Sequence, residues 1–365
     1  MLNRSRWKRA AAVGVAVALA AVPACSSSGS SSGPTSTSRA ANATTTTKKT
    51  TATTTKTTSV PATKVTALGT YAVGLHQENW VDSSRPTQAN KTAPALPQRT
   101  LPAIVLYPAK GSPGPDQVKD GAPVAGRFPL VLFSHGVTGK GTDYVATLRL
   151  IASAGYVVVA PTYPLSNRDA PGGASIADVP AQVKDVPFLL DKVLAENKGP
   201  GYLHDLIDPD GIALAGHSLG AITSLGAGYT SCCAAKRVKA VAEWAGLFFS
   251  DDSKPEAAPT ALAPIAAHRP LLMIHGTADG TVPYTVTKGV YAAVGTPKVF
   301  ISLPGEGHIP PYVTGETSPA AKVVTDATVD FFDAELKGDR SALNRLSATV
   351  TRAGPTVATL QEDLG

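Results

Sequence analysis

The sequence predicts an α/β fold, a single domain with a mostly parallel central sheet flanked by helices. Three observations carry that reading. From residue 65 onward, apolar runs of strand length alternate with stretches of helical spacing. Several of those runs, such as Phe128 to Phe133, are apolar throughout, as buried strands are. Finally, Gly211-Ile212-Ala213-Leu214-Ala215 leads directly into Gly216-His217-Ser218-Leu219-Gly220 and then an Ala/Leu-rich stretch. That is a strand, a turn too sharp for anything but glycine two residues either side of the serine, and a helix.

The chain opens with Arg4, Arg6, Lys8 and Arg9, followed by the apolar run Ala10 to Val22. That run is too short to span a bilayer and suits a signal-peptide core. It ends in Val22-Pro23-Ala24-Cys25, which resembles the lipobox of bacterial lipoproteins. The resemblance implies a signal peptide over 1–24, a diacylglycerol on the Cys25 thiol and cleavage before it. The protein would then sit on the outer face of the cytoplasmic membrane, or be secreted if the lipobox is not used. Residues 25–64 are Ser-, Thr- and Lys-rich with almost no large apolar side chain, which reads as a flexible tether. A random coil of about 40 residues reaches roughly 35 Å.

The formal charge of +6 divides unevenly. Residues 1–64 hold nine Lys and Arg and no Asp or Glu, so the remaining chain carries 24 basic against 27 acidic side chains, a net of −3. The basic balance therefore belongs to the leader and tether, where it suits an anionic membrane surface. It argues against a nucleic-acid partner for the folded region. With Cys25 assigned to lipid, Cys232 and Cys233 remain, and being adjacent they have neither metal-ligand spacing nor a loop to close. A vicinal disulfide and two free thiols both stand open.

Within the domain at 65–365, Arg99 to Tyr107 reads as an early strand and Phe128 to Phe133 as a second, ending at Ser134-His135-Gly136. Thr142 to Ala154 has helical spacing through Tyr144, Leu148 and Ile151, and Tyr156 to Ala160 is strand. Val179 to Ala195 is an amphipathic helix with Val183, Val186, Leu189, Leu190 and Val193 on one face. Val238 to Trp244, Leu271 to His275 and Val299 to Leu303 complete the strands, and Ala320 to Leu336 is a closing helix. The stretch from Lys337 is weakly patterned and reads as a loose tail.

A serine hydroxyl is a poor nucleophile until a histidine takes its proton, and the histidine needs a carboxylate to fix its tautomer. On such a scaffold these residues follow in the order Ser, acid, His, each just past the carboxyl end of a strand. After Leu271 to His275 comes Gly276-Thr277-Ala278-Asp279-Gly280, which makes Asp279 the acid. After Val299 to Leu303 comes Pro304-Gly305-Glu306-Gly307-His308, which makes His308 the base. Of seven histidines only His308 combines order and setting: His217 should point away within the turn, and His275 ends its strand too early. Glu306 is a rival acid, badly placed so close to the histidine. An oxyanion needs two preorganised N–H donors. Leu219, at the helix start after Ser218, supplies one, and Val137, in the loop Ser134-His135-Gly136-Val137, the other. His135 packs or hydrogen-bonds beneath that loop.

Leu132-Phe133-Ser134-His135-Gly136, Gly216-His217-Ser218-Leu219-Gly220, His275-Gly276-x-x-Asp279 and Gly307-His308 together resemble the α/β-hydrolase superfamily. Arg99-Thr100-Leu101-Pro102 and Asp185-Val186-Pro187-Phe188-Leu189-Leu190-Asp191 are similar to the branch of platelet-activating-factor acetylhydrolases, with chlorophyllases and cutinase-like polyester hydrolases nearby. Ala221 departs from the glycine with which polyester hydrolases usually continue. The resemblance implies a serine ester hydrolase of esterase or lipase type, with neither metal nor organic cofactor. Its partners would be a small-molecule or lipid ester and, through Cys25, a membrane, and it is expected to act as a monomer. The segment Gly246 to Arg269, with Phe248 near its start, is the largest loop near the site; Trp244, Phe248 and Ile309 are candidates for an apolar pocket wall. Two competitors remain: amide or peptide hydrolysis on the same scaffold, and a non-catalytic lipid-anchored binding protein.

Overall fold

A computed structural model of the chain describes residues 69–229, 236–247 and 269–365. The expectations for the leader, the tether, Cys25, Cys232, Cys233 and Phe248 lie outside the described residues.

Among the described residues, ten strands form one sheet: β1 (Ala72–Asp82), β2 (Arg99–Ala109), β3 (Gln117–Lys119), β4 (Phe128–Ser134), β5 (Val157–Pro161), β6 (Ile207–His217), β7 (Val238–Trp244), β8 (Leu271–Gly276), β9 (Lys298–Leu303) and β10 (Thr359–Asp363). Their order is β10-β9-β8-β7-β6-β4-β5-β2-β1-β3. The six strands from β4 to β9 run parallel to one another. Antiparallel pairs flank them, β1 on β2 and β2 on β5 at one side and β10 on β9 at the other.

The helices are α1 (Val145–Ser153), α2 (Val179–Lys198), α3 (Leu219–Tyr229), α4 (Tyr284–Ala293), the single turn α5 (Pro310–Val313), α6 (Pro319–Leu336) and α7 (Ala342–Ala353). Because side chains alternate along a strand, the sheet feeds two cores. Val131 and Phe133 of β4, Ala213 and Ala215 of β6 and Leu272 and Ile274 of β8 pack with α1, α6 and α7. Leu130 and Leu132, Ile212 and Leu214, and Leu271 and Met273 pack with α2, α3 and α4. Burial on both faces is why these strands read as unbroken apolar runs. α6 begins cleanly: Ser318 Oγ accepts from the Ala321 N–H at 3.1 Å, and Pro319 opens the first turn.

The segment after Lys337 is no loose tail. Leu343, Leu346 and Val350 give α7 a buried stripe, and β10 pairs in register with β9, Thr359 opposite Ser302 through Asp363 opposite Lys298. The stripe is two turns long in a polar stretch, and β10 is an exposed edge strand whose identity comes from its neighbour rather than its own composition. β1, with five buried residues, and α4, with three, were likewise not anticipated.

One buried ion cluster ties the early strands to α2. Arg99, fully buried at the start of β2, sends Nε to both Asp185 carboxylate oxygens at 2.8 Å and its two terminal nitrogens to Asp178 at 3.0 and 2.9 Å. Arg85 adds a 2.7 Å bond to Asp185 and bonds Asp82 at 2.6 Å. The two short sequences resembling the acetylhydrolase branch are thus bonded to each other in space. Burial alone raises the Asp185 carboxyl, and the two arginines work against that. Replacing Arg99 with Met leaves two buried carboxylates without their main cation, which should cost about 3–5 kcal/mol in denaturant unfolding. An unchanged midpoint would mean Arg85 alone suffices.

Candidate active site

Ser218 stands at the junction of β6 and α3 with φ of 56°, a left-handed conformation rarely adopted by non-glycine residues. The turn leaves no room for side chains on either side. A Cβ on Gly216 would lie 2.2 Å from the Gly220 carbonyl oxygen, and one on Gly220 1.9 Å from that of Ser134. The Ser218 N–H donates to the Trp244 carbonyl at 2.9 Å, locking the turn to the end of β7.

The structure brings the three expected residues together from three strand ends. His308 Nε2 lies 2.8 Å from Ser218 Oγ, and His308 Nδ1 2.6 Å from Asp279 Oδ2. Asp279 Oδ1 accepts from the N–H groups of Thr281 and Val282, each at 2.8 Å, and Oδ2 also faces His275 Nε2 at 3.0 Å. Burial by itself would raise this carboxyl. The hydrogen bonds from His275, His308 and the two backbone donors outweigh it and hold Asp279 well below the usual carboxylate range. An ionised Asp279 keeps the proton of His308 on Nδ1 and leaves the Nε2 lone pair for the serine. Of the two candidate carboxylates, Asp279 makes the contact with His308 Nδ1, while the Glu306 carbonyl accepts from the Ala278 N–H at 3.0 Å.

Val137 and Leu219 keep their backbone N–H groups free of any intramolecular acceptor among the described residues. Leu219 opens α3, where the helix dipole favours negative charge. The Val137 loop closes on Ser218 at Gly136, where an added Cβ would meet Ser218 Cβ at 3.2 Å. Thr138 holds φ of 63°, a strained value for a β-branched residue, and its N–H is fastened to the Ser166 carbonyl at 2.7 Å. His135 lies buried beneath the loop as expected, with Nδ1 donating to the Gly136 carbonyl and Nε2 accepting from the Tyr163 N–H.

His217 does turn away from the serine, into a role its position in the motif did not announce. Its Nε2 donates to the His308 carbonyl at 2.7 Å, so Nδ1 is the acceptor and takes the proton of the Tyr144 hydroxyl at 2.8 Å. The Tyr144 oxygen in turn accepts the Gly136 N–H at 3.1 Å. A buried chain of three hydrogen bonds thus runs from the Val137 loop under the turn to the loop bearing His308. Tyr144 was legible only as a helical apolar position, and the partner of its hydroxyl is 73 residues away.

The pocket assignments need correction. Trp244 is fully buried: strand alternation points it with Ala240 and Ala242 into the core, where it stacks on Tyr312 and donates to Thr328 of α6. It lines no cleft. Ile309 is 55 % exposed directly beside His308 in the chain. His275 is wholly buried and touches Asp279; the sequence signal was there, in its place directly before Gly276.

His135 and His217 are pushed down to about 4 and about 3, in both cases first by burial. A lowered folded value means the unfolded chain takes the proton first. Each histidine therefore adds stability that is full above about pH 6.5 and is lost as pH falls toward its folded value. Glu243 and Asp330, pushed up to about 7 and about 6 by burial, act in the opposite sense. In 15N-histidine spectra, His135 should keep its Nδ1–H tautomer and His217 its Nε2–H tautomer from pH 8 to about pH 5. Titration of either ring near 6.5 would contradict the hydrogen-bond assignment.

The chlorophyllase family model matches residues 112–240, which include β4, the Val137 loop and the turn at Ser218 but neither Asp279 nor His308. No curated protein matches the chain. Among solved structures, a ferulic acid esterase from Streptomyces cinnamoneus is similar with a TM-score of 0.56 and 22 % identity, over 77 % of this chain and 93 % of that one. At that identity the likeness carries the fold, and the family-model match adds the esterase type. The chain thus has an α/β-hydrolase fold and matches an esterase-type family over residues 112–240.

Proposed function

We propose that the protein is a serine carboxylic-ester hydrolase working through an acyl-enzyme. The observation that carries this is the run of contacts from Ser218 Oγ to His308 Nε2 at 2.8 Å and from His308 Nδ1 to Asp279 at 2.6 Å, beside two free backbone donors. Ser218 attacks the ester carbonyl as His308 removes its proton. The charge that develops on the carbonyl oxygen falls to the N–H groups of Leu219 and Val137. The tetrahedral intermediate collapses, His308 returns the proton to the leaving alcohol, and water then repeats the sequence to release the acid. Asp279 stays ionised throughout and stabilises the imidazolium.

The acyl group meets Ile309 at the rim. The solved relative is described as a ferulic acid esterase, so aromatic hydroxycinnamoyl esters belong beside short and medium acyl esters in a substrate panel. Ser218→Ala should lower kcat on the best ester on the order of 10⁶-fold and abolish labelling by a fluorophosphonate. Retained turnover would remove Ser218 as nucleophile, and preference for matched anilides over esters would favour amide hydrolysis.

The location is part of the same proposal. A leader over 1–24, lipid on Cys25 and the tether over 25–64 would hold the enzyme outside the cytoplasmic membrane. Among the described residues, no helix is long and apolar enough to cross a membrane. Incorporation of a fatty-acid probe should be lost in Cys25→Ala; labelling that survives this change would mean that Cys25 is not the lipid site.

A further inference from the structure

Behind Asp279 lies a second histidine that the proposed reaction does not use. His275, next to last in β8, is wholly buried. Its Nε2 lies 3.0 Å from Asp279 Oδ2 and 3.1 Å from the Val282 carbonyl oxygen. Both are acceptors here, so Nε2 carries a proton. Its Nδ1 lies 2.6 Å from Thr287 Oγ1 of α4. The Thr287 hydroxyl has a single proton, and it points 2.8 Å to the Gly246 carbonyl, which can only accept. Thr287 Oγ1 therefore meets Nδ1 as an acceptor, and Nδ1 carries a proton as well. A neutral imidazole would leave either the Gly246 carbonyl without this donor or the Nδ1 lone pair facing another.

The counter-charge is close by. Glu243 of β7 is completely buried, and its register partner Met273 lies two residues before His275, so both side chains leave the sheet on one face. Glu243 Oε2 accepts the Gly246 N–H at 2.7 Å, while Oε1 has no hydrogen-bond partner among the described residues. Neither Glu243 nor Asp279 forms an ion pair with Lys or Arg among the described residues; the ion pairs of Asp279 are with His275 and His308.

We propose that His275 is a buried imidazolium, holding the proton given up by Glu243, and acts as a positioning residue that divides the charge of Asp279 between two imidazoles. The proposal rests on the Ser218–His308–Asp279 reading above. Proton and charge balance: a neutral carboxyl and a neutral imidazole become a carboxylate and an imidazolium, with no net change. Burial raises the Glu243 carboxyl, and the nearby His275 charge and the Gly246 N–H offset part of that rise, which leaves it at about 7. The other groups facing the pair come from every side. Tyr284 of α4 meets the His275 ring edge-on at 5.9 Å, His217 interacts with it from the turn, Tyr312 lies near Glu243, and His308 is reached through Asp279.

The consequence is for the base. Charge that Asp279 shares with His275 is not available to stabilise a protonated His308. Removing the second imidazole concentrates that charge on His308 and moves the acid limb of kcat/KM to higher pH.

In the full chain labelled with 15N-histidine, the His275 signals, identified by their loss in His275→Asn, should show both ring nitrogens protonated at pH 7. In Glu243→Gln they should revert to a neutral ring. Both variants should shift the acid limb upward by about one unit, which a purely structural role would not do. A singly protonated His275 at pH 7, or an acid limb unmoved in Glu243→Gln, overturns the proposal. If His275→Asn does not fold, the unmodified protein and Glu243→Gln still decide, with the ring identified by His-selective assignment. Failure here is separable from failure of the triad, which would appear as activity surviving Ser218→Ala.

Discussion

The rest of the site depends on the steric closure of the turn at Ser218. Two carbonyl oxygens, those of Ser134 and Gly220, come within about 2 Å of where a Cβ would stand on Gly220 and Gly216. No side-chain adjustment relieves contacts with backbone, so the chain must be glycine at both places. The serine between them bears a left-handed backbone conformation that costs about 1–3 kcal/mol. What holds it there is the sheet: β6 lies between β4 and β7, and the Ser218 N–H is fixed to the end of β7. Strain at the centre of a two-sided core is tolerated because everything around it is over-determined.

The same closeness joins loops that are far apart in sequence. The contact of Gly136 with Ser218 brings the Val137 donor to the nucleophile, and the Tyr144–His217 chain then carries that loop's position to the carbonyl of His308. The Val137 loop, the turn at Ser218 and the loop bearing His308 therefore rest on one hydrogen-bonded frame. Buried neutral imidazoles suit this work, since each offers one donor and one acceptor at fixed separation without bringing a charge.

Buried charge is met differently at two places. At the early strands, Arg99 and Arg85 answer the buried aspartates directly. At the site, Asp279 has no Lys or Arg partner among the described residues and is held by backbone N–H groups and two histidines. A permanent cation beside Asp279 would compete with His308 for its charge at every pH. An imidazole competes only when protonated.

By itself the sequence determined the alternation of strands and helices, the glycine-flanked serine, and the order Ser218, Asp279, His308. These are local properties: apolar periodicity, a turn that excludes side chains, and small residues at strand ends. It could not determine the work of Tyr144, His217 and His275, because a buried polar side chain gains its meaning from a partner across the fold. Nor could it place Trp244, which reads as a pocket wall until strand alternation turns it into the core. The C-terminal segment shows the same limit, since β10 is a strand only because β9 offers it an edge. What only the tertiary structure decided was the pairing of buried donors with acceptors, and therefore which buried histidines tie together the loops around Ser218.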